Sequence, residues 1–474
     1  MVNRLNSDAH VALAATTPRA SFGAALVVTS LSTFVAMLAY SGPLGNAPAL
    51  GRALGASPGA QTWILSSMSV GLAVSLLTAG SFADRNGRRR VFVAGAGVFT
   101  AGSVICAVAT VPVVFVAGRL IEGVGAAGMI ATGLGLVATV TKAPAQRSRS
   151  AAWWGTAMGL GIAGGPLLTG IFDLAGAWST PYWLLAAAGA GIAVAARGLF
   201  PETAADRYRR PDLVGAVLLT AGLVALLVAL VEARQSHLTA ALVGTALAVC
   251  TLAGFVVSQL RGRFPMVDPP LFRRGDFVAA NAAAVATGAG VIALMSFACT
   301  FLATAMGLTS LQAGAVLTLW SGSSAVSAVL VRGLAARVTG TAQLAVGLAV
   351  TGIGLLLLTG LEETATVGRL VPGLLVAGLA TGVLNAGLAR QAVATVPPER
   401  TALGTGITNT ARYLAASIGV TVVSVLAASP KADTATQLAG WNHVAVLTGA
   451  LTLAGAVSVP TLAARSSPRE RNAS

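Results

Sequence analysis

The chain has 474 residues, of which 55% are hydrophobic and only 9% charged, with a formal net charge of +15 and a mean hydropathy of +0.81. Soluble domains carry about 25% charged residues, so this chain lacks the polar surface to face water and needs lipid as its outer solvent. Its positive charges form short clusters between apolar runs, with no basic face interleaved with aromatics, which argues against a nucleic-acid partner.

Residues 1–21 are polar and hold no apolar h-region, so no cleaved signal peptide is expected and the first apolar run acts as its own insertion signal. A helix needs about 20 apolar residues to cross a hydrocarbon core of about 30 Å. Runs of that kind occupy 22–41, 61–81, 91–110, 112–139, 150–172, 181–200, 213–232 and 238–259. They continue at 277–303, 311–331, 342–361, 370–395, 404–427 and 440–463, which makes fourteen. The longest polar connections, 201–212 and 261–276, are too short for a soluble domain. Cys106, Cys250 and Cys299 fall inside apolar runs without metal-ligand spacing.

Charge orients these segments, because cytoplasmic loops collect Lys and Arg. With the N-terminus inside, Arg88, Arg89 and Arg90, Lys142, Arg147 and Arg149, and the arginines of 197–210 and 261–274 all fall on the inner side. Arg52, Arg234, Arg369 and Lys431 fall outside. One missed or invented span would invert every later loop; a missed pair would not, so twelve spans is the alternative. The reading is fourteen transmembrane helices in the bacterial cytoplasmic (inner) membrane, with both termini cytoplasmic.

The second and third segments are joined by Gly80, Asp84, Arg85, Gly87, Arg88, Arg89 and Arg90, and a weaker echo, Gly333 to Gly340, follows the tenth. The first six segments therefore correspond to the last six, with two inserted between them. This gives 1–206 as an N-terminal six-helix bundle, 207–262 as two linker helices and 263–474 as a C-terminal six-helix bundle with a tail. Related bundles around a midplane site are the layout of alternating-access transporters. Gly80 and Gly87 allow close helix approach and a tight turn. Asp84 can pair with an arginine or with the positive end of a helix from the other bundle.

The 80–90 stretch resembles the G-x-x-x-D-R-x-G-R-R motif of the major facilitator superfamily, and the inserted pair resembles its 14-span drug:proton antiporter family. The resemblance extends to Pro397–Arg400 and Asn409–Arg412. It implies an all-α major facilitator fold, two bundles that alternate access, and Asp84 as a conformational latch.

The fourth segment carries Arg119-Leu-Ile-Glu122-Gly123, which resembles the family's R-x-x-Q-G with glutamate for glutamine. A charge at mid-membrane costs about 2.5–3.5 kcal/mol on insertion scales, and residues three apart on a helix can pair. Burial disfavours the carboxylate and the arginine favours it, so a conformational change that alters this balance would move a proton. Glu122 is thus the candidate proton carrier and Arg119 its gate; a permanent structural ion pair is the alternative. The family's first-segment aspartate, in L-D-x-T-I-V-N-V-A-L-P, is Ala39 here. Coupling then falls on Glu122, on Asp84 or Asp173, or is absent.

The fifth segment holds Gly161, Gly165, Pro166 and Gly170, which resemble the G-x-x-x-G-P-x-x-G-G motif of exporters, with Thr169 replacing one glycine. Small residues four apart let helices approach, and the proline bends the helix. Two G-x-G-x-x-G matches, at Gly123 and Gly159, precede no βαβ unit and bind no dinucleotide. No Walker loop or nucleophile–base pairing occurs, so neither enzyme chemistry nor a cofactor or metal is expected.

Asn385, Asn409, Arg412 and Trp154 are candidate substrate contacts, with Trp63, Met68, Trp153, Met158 and Trp320 as further apolar ones. The function implied is proton-coupled efflux of hydrophobic or cationic drugs and antibiotics by a monomer, with small-molecule substrate, protons and lipid as partners. Two alternatives remain open: a dedicated exporter or facilitator of one metabolite, and a non-transporting membrane sensor.

Overall fold

A computed structural model describes residues 21–141, 143–202, 212–234, 237–262, 265, 267, 269–331, 338–397, 400–427 and 432–465. The all-helical class expected from sequence holds. The long elements in chain order are α1 Phe22–Ser41, α2 Pro58–Asn86, α3 Arg88–Ala107, α4 Pro112–Val140, α5 Pro144–Leu174, α6 Thr180–Leu199 and α7 Leu213–Arg234. They continue as α8 Leu238–Arg261, α9 Gly275–Thr304, α10 Ser310–Leu330, α11 Gly340–Leu356, α12 Val371–Ala394, α13 Thr401–Leu426 and α14 Thr434–Ala463.

Among the described residues, twelve of these are long and apolar enough to cross a membrane. Helix α11 is apolar but has only 17 residues, and α13, outside the twelve, carries Thr401, Thr405, Asn409 and Arg412. The chain is a multi-pass membrane protein. The exposed side chains of α8 include Leu242, Val243, Leu247 and Val249, an apolar stripe of the kind lipid contact demands.

Helix starts follow local chemistry. Ser21, Ser57, Thr309 and Thr339 accept from the backbone amides of Ala24, Ala60, Gln312 and Ala342. Proline opens α4, α5 and α6, where its missing N–H costs nothing. The 80–90 stretch is less of a loop than its sequence suggests. Helix α2 runs through Asn86 and α3 starts at Arg88, leaving only Gly87, at φ +101°, between them. That left-handed conformation is why the position is glycine.

The first six helices and the last six repeat one packing scheme. In the first half α1 packs on α5, α2 on α4, and α3 on α4 and α6; in the second, α9 packs on α13, α10 on α12, and α11 on α12 and α14. Between the halves, α2 packs on α13 and α10 on α5, which is one contact made twice under that correspondence. The second copy of the loop motif, 333–337, lies outside the described residues. Helices α7 and α8 pack on each other, and α7 also touches α2 and α13. Gln259 Nε2 donates to Asp212 Oδ2 at 2.6 Å and its Oε1 accepts from Val267 N, fastening the pair to the chain that follows.

Candidate functional site

At one end of the molecule, Asp84 on α2 reaches the start of α13. Its carboxylate accepts from Leu403 N at 2.8 Å and Ala402 N at 3.4 Å. The first amides of a helix have no intrahelical partner and carry its positive dipole end, so a carboxylate there is doubly favoured. Arg88 Nε holds Asp84 Oδ1 at 2.9 Å and its Nη1 donates to Gly135 O of α4. Gly80, one turn earlier, lets the α2 backbone lie against the Ala402 carbonyl, where a Cβ would collide. Arg89 and Arg90 pair with Glu202 at 3.4 Å each, and Arg89 also donates to Phe200 O. Arg85, half-buried, ends α2.

Arg119 and Glu122 on α4 are both fully buried and paired at 2.7 Å. Ser103 Oγ on α3 donates to the other carboxylate oxygen at 2.7 Å. Gly102 permits this, since a Cβ there would lie 2.5 Å from Glu122 N. Arg119 also donates to Ala39 O at 2.7 Å and Tyr40 O at 3.3 Å on α1. The Ala39 carbonyl is open because the residue four on is Pro43, which has no N–H. Arg119 thus reaches the backbone of the residue standing where the family has its aspartate.

Helix α5 uses its small residues on two sides. Gly161 and Gly165 face α1, where Cβ atoms would lie 2.6 Å from Met37 Cβ and 2.7 Å from Leu38 O. Thr169 Oγ1 donates to Gly42 O at 2.6 Å, so this departure from the glycine motif ties α5 to the end of α1. On the other side Gly155 and Gly159 approach Ala386 and Ser321 of the second half, and Thr156 Oγ1 donates to Ala325 O. Pro166 packs on Gly314 of α10, and Gly170 lies by Leu311.

Two neighbouring cavities lie between the halves. One, of about 140 Å³, is lined by residues including Tyr40, Leu44, Ser69, Ser296, Phe297 and Val420. The other, of about 40 Å³, is lined by residues including Tyr40, Leu44, Ser296, Trp320, Arg412 and Tyr413. The α9 wall contains a π-helical segment, Thr287–Ile292, whose Gly288 fits against the Arg412 carbonyl. Such wide turns recur at functional sites.

Of the four substrate contacts expected from sequence, Arg412 lines one of these two cavities. Trp154, Asn385 and Asn409 are buried in packing, with Asn409 Nδ2 on Thr405 O. Arg119 and Glu122 are sealed away from both cavities. Sequence reading missed Tyr40, Tyr413 and Ser103, and Ser296, a lone hydroxyl in an apolar stretch of α9. It also missed Pro43, whose spacing from Ala39 is the signal that a carbonyl there is free.

A family model described as Major Facilitator Superfamily matches residues 29–420. A probable actinorhodin transporter of Streptomyces coelicolor is 32% identical over 393 residues, covering 80% of this chain and 68% of the relative. A cephamycin export protein of Amycolatopsis lactamdurans is 30% identical over 468 residues, covering 94% and 93%. The crystal structure of the human organic anion transporter MFSD10 superposes with a TM-score of 0.65 at 19% identity, over 92% of this chain and 99% of that one; this likeness shows the fold alone. The chain belongs to the major facilitator superfamily, among its drug-efflux transporters.

Proposed function

We propose that this protein exports hydrophobic antibiotic-like compounds across the bacterial cytoplasmic membrane by alternating access, driven by proton entry. One observation carries the reading. The Asp84 cap fastens α2 to the start of α13 at one end, while the larger cavity is lined by residues toward the other ends of those two helices, Leu65, Ser66, Val420 and Val423. A molecule closed at one end with space toward the other is an alternating-access intermediate. The positive charge around Asp84 supports a cytoplasmic closed end, with both termini on that side, and with it an outward-directed state.

In this reading 1–206 and 263–474 are the two moving bundles, 207–262 is a lateral pair, and a single chain suffices. Asp84, Arg88 and the Gly80 contact are the cytoplasmic latch; Gly161, Gly165, Pro166 and Gly170 form the pivot between α1, α5 and α10. Glu122 is the proton carrier and Arg119 its gate: rotation of α1 would withdraw the Ala39 and Tyr40 carbonyls from Arg119 and change the charge balance at Glu122. Two relatives named for antibiotic transport or export support an antibiotic-like cargo. Among the described lining residues no acid faces either cavity, which favours neutral over cationic compounds.

Expression in an antibiotic-susceptible host tests this. Wild type should lower intracellular accumulation of hydrophobic antibiotics, and Asp84→Asn at equal membrane abundance should not. Equal accumulation with and without wild-type protein across a broad panel would reject export.

A further inference from the structure

Two arginines are buried at membrane depth, and their surroundings differ. Arg119 has Glu122. Arg412, only 3% exposed, makes no ion pair with any described residue. Among the described residues its polar contact is a donation from Nη1 to Met158 Sδ at 3.2 Å, and a thioether is a weak acceptor. Among the described residues its Nε has no partner, and the Tyr413 ring lies near the limit of cation–π reach, 5.9 Å from the guanidinium carbon. The residue sits roughly 16 Å along α13 from Thr401 at about 1.5 Å per residue, close to half a hydrocarbon core. Charges kept there pair with something or serve a pathway.

The side chain lines the smaller cavity. That space of about 40 Å³ has room for a carboxylate-sized group, since about 10–15 Å³ of such volume takes one water. The adjoining larger cavity offers an apolar wall from Leu44, Val70, Leu230, Phe297, Val420 and Val423. The guanidinium fork suits planar oxyanions, and charge-assisted bonds to it are the strong ones.

Resting on the export reading above, we propose that Arg412 receives a negatively charged group of the cargo, so that the transported class is hydrophobic organic anions, with the acidic group at Arg412 and the apolar body in the larger cavity. Met158 Sδ holds the guanidinium while the site is empty and yields to the stronger acceptor. Cations are rejected by the same charge.

The test uses full-length protein purified in detergent and three naphthalene probes of one shape: 2-naphthoate, its methyl ester and 2-naphthylmethylammonium. Equilibrium dialysis should give binding of 2-naphthoate at least about tenfold tighter than either other probe, the gain expected of one charge-assisted contact. Arg412→Gln should lose that preference, so that carboxylate and ester bind alike, and Arg412→Lys should retain part of it. Absence of a carboxylate preference in wild type, which needs no variant to measure, overturns the proposal; so does its persistence in Arg412→Gln. Accumulation of 2-naphthoate by inverted vesicles reports on export separately. Binding without accumulation sinks the export reading and leaves the anion site standing.

Discussion

Leu403 donates its backbone amide to Asp84 Oδ2 at 2.8 Å across 319 residues of sequence. A capping carboxylate of this kind contributes about 1 kcal/mol, and this one exists only while the two halves touch at that end. It therefore biases a conformational equilibrium rather than the stability of one bundle. Asp84→Asn, which removes the charge and keeps the shape, should raise cytoplasmic accessibility of a Thr405→Cys reporter to a membrane-impermeant thiol reagent several-fold. Unchanged labelling would remove Asp84 from the latch.

Gly80 sets how closely α2 can lie on the first turn of α13, where a Cβ meets the Ala402 carbonyl. Backbone cannot yield as a flexible side chain would, and overpacking costs about 1–3 kcal/mol. Gly80→Ala should cut transport severely by separating the helices at the latch, with a modest fall in thermal stability. Normal transport by this variant would show that the close approach is dispensable.

Pro43 leaves the Ala39 carbonyl for Arg119. Pro43→Ala restores an N–H that can compete for it, at the first turn of the short 3₁₀ segment Gly42–Gly45, where proline and alanine are both accommodated. The expected outcome is a split: melting temperature little changed, and transport lowered several-fold. A loss of both together would mean that Pro43 shapes the end of α1 and does not serve Arg119.

The buried pair predicts an asymmetry between single and double replacement. Removing one partner strands a charge, at a cost of about 3–5 kcal/mol, whereas replacing both with apolar groups is often neutral. Arg119→Met should destabilise more than the double variant Arg119→Met/Glu122→Leu, as read by thermal unfolding in detergent. The double variant should nevertheless be inactive. Transport by that double variant would make the pair purely structural.

How much of this was legible in the sequence follows from what each signal depends on. The segments were visible because bilayer thickness imposes a length on every helix, and the loop motif because Gly87 must adopt positive φ. Asp84 could be matched to a helix end, since only a few partners suit a carboxylate at that depth, but not to α13 in particular. The pocket is less legible: Arg412 and Trp320 line the smaller cavity. Trp154, Asn385 and Asn409 have the right chemistry and face packed helices instead, because the inward angle of a helix that is apolar all round leaves no periodicity to read. The π-helical turn at Thr287–Ile292 shifts that angle again within α9.

The measurement closest to the central claim is proton movement in energised inverted vesicles, read by a pH-sensitive dye as hydrophobic antibiotics are added. Wild type should release protons from the lumen as drug enters it, and Glu122→Gln should bind the same drugs but release none. Drug accumulation by wild type that leaves the proton gradient untouched, or proton release by Glu122→Gln equal to wild type, would contradict coupling through α4.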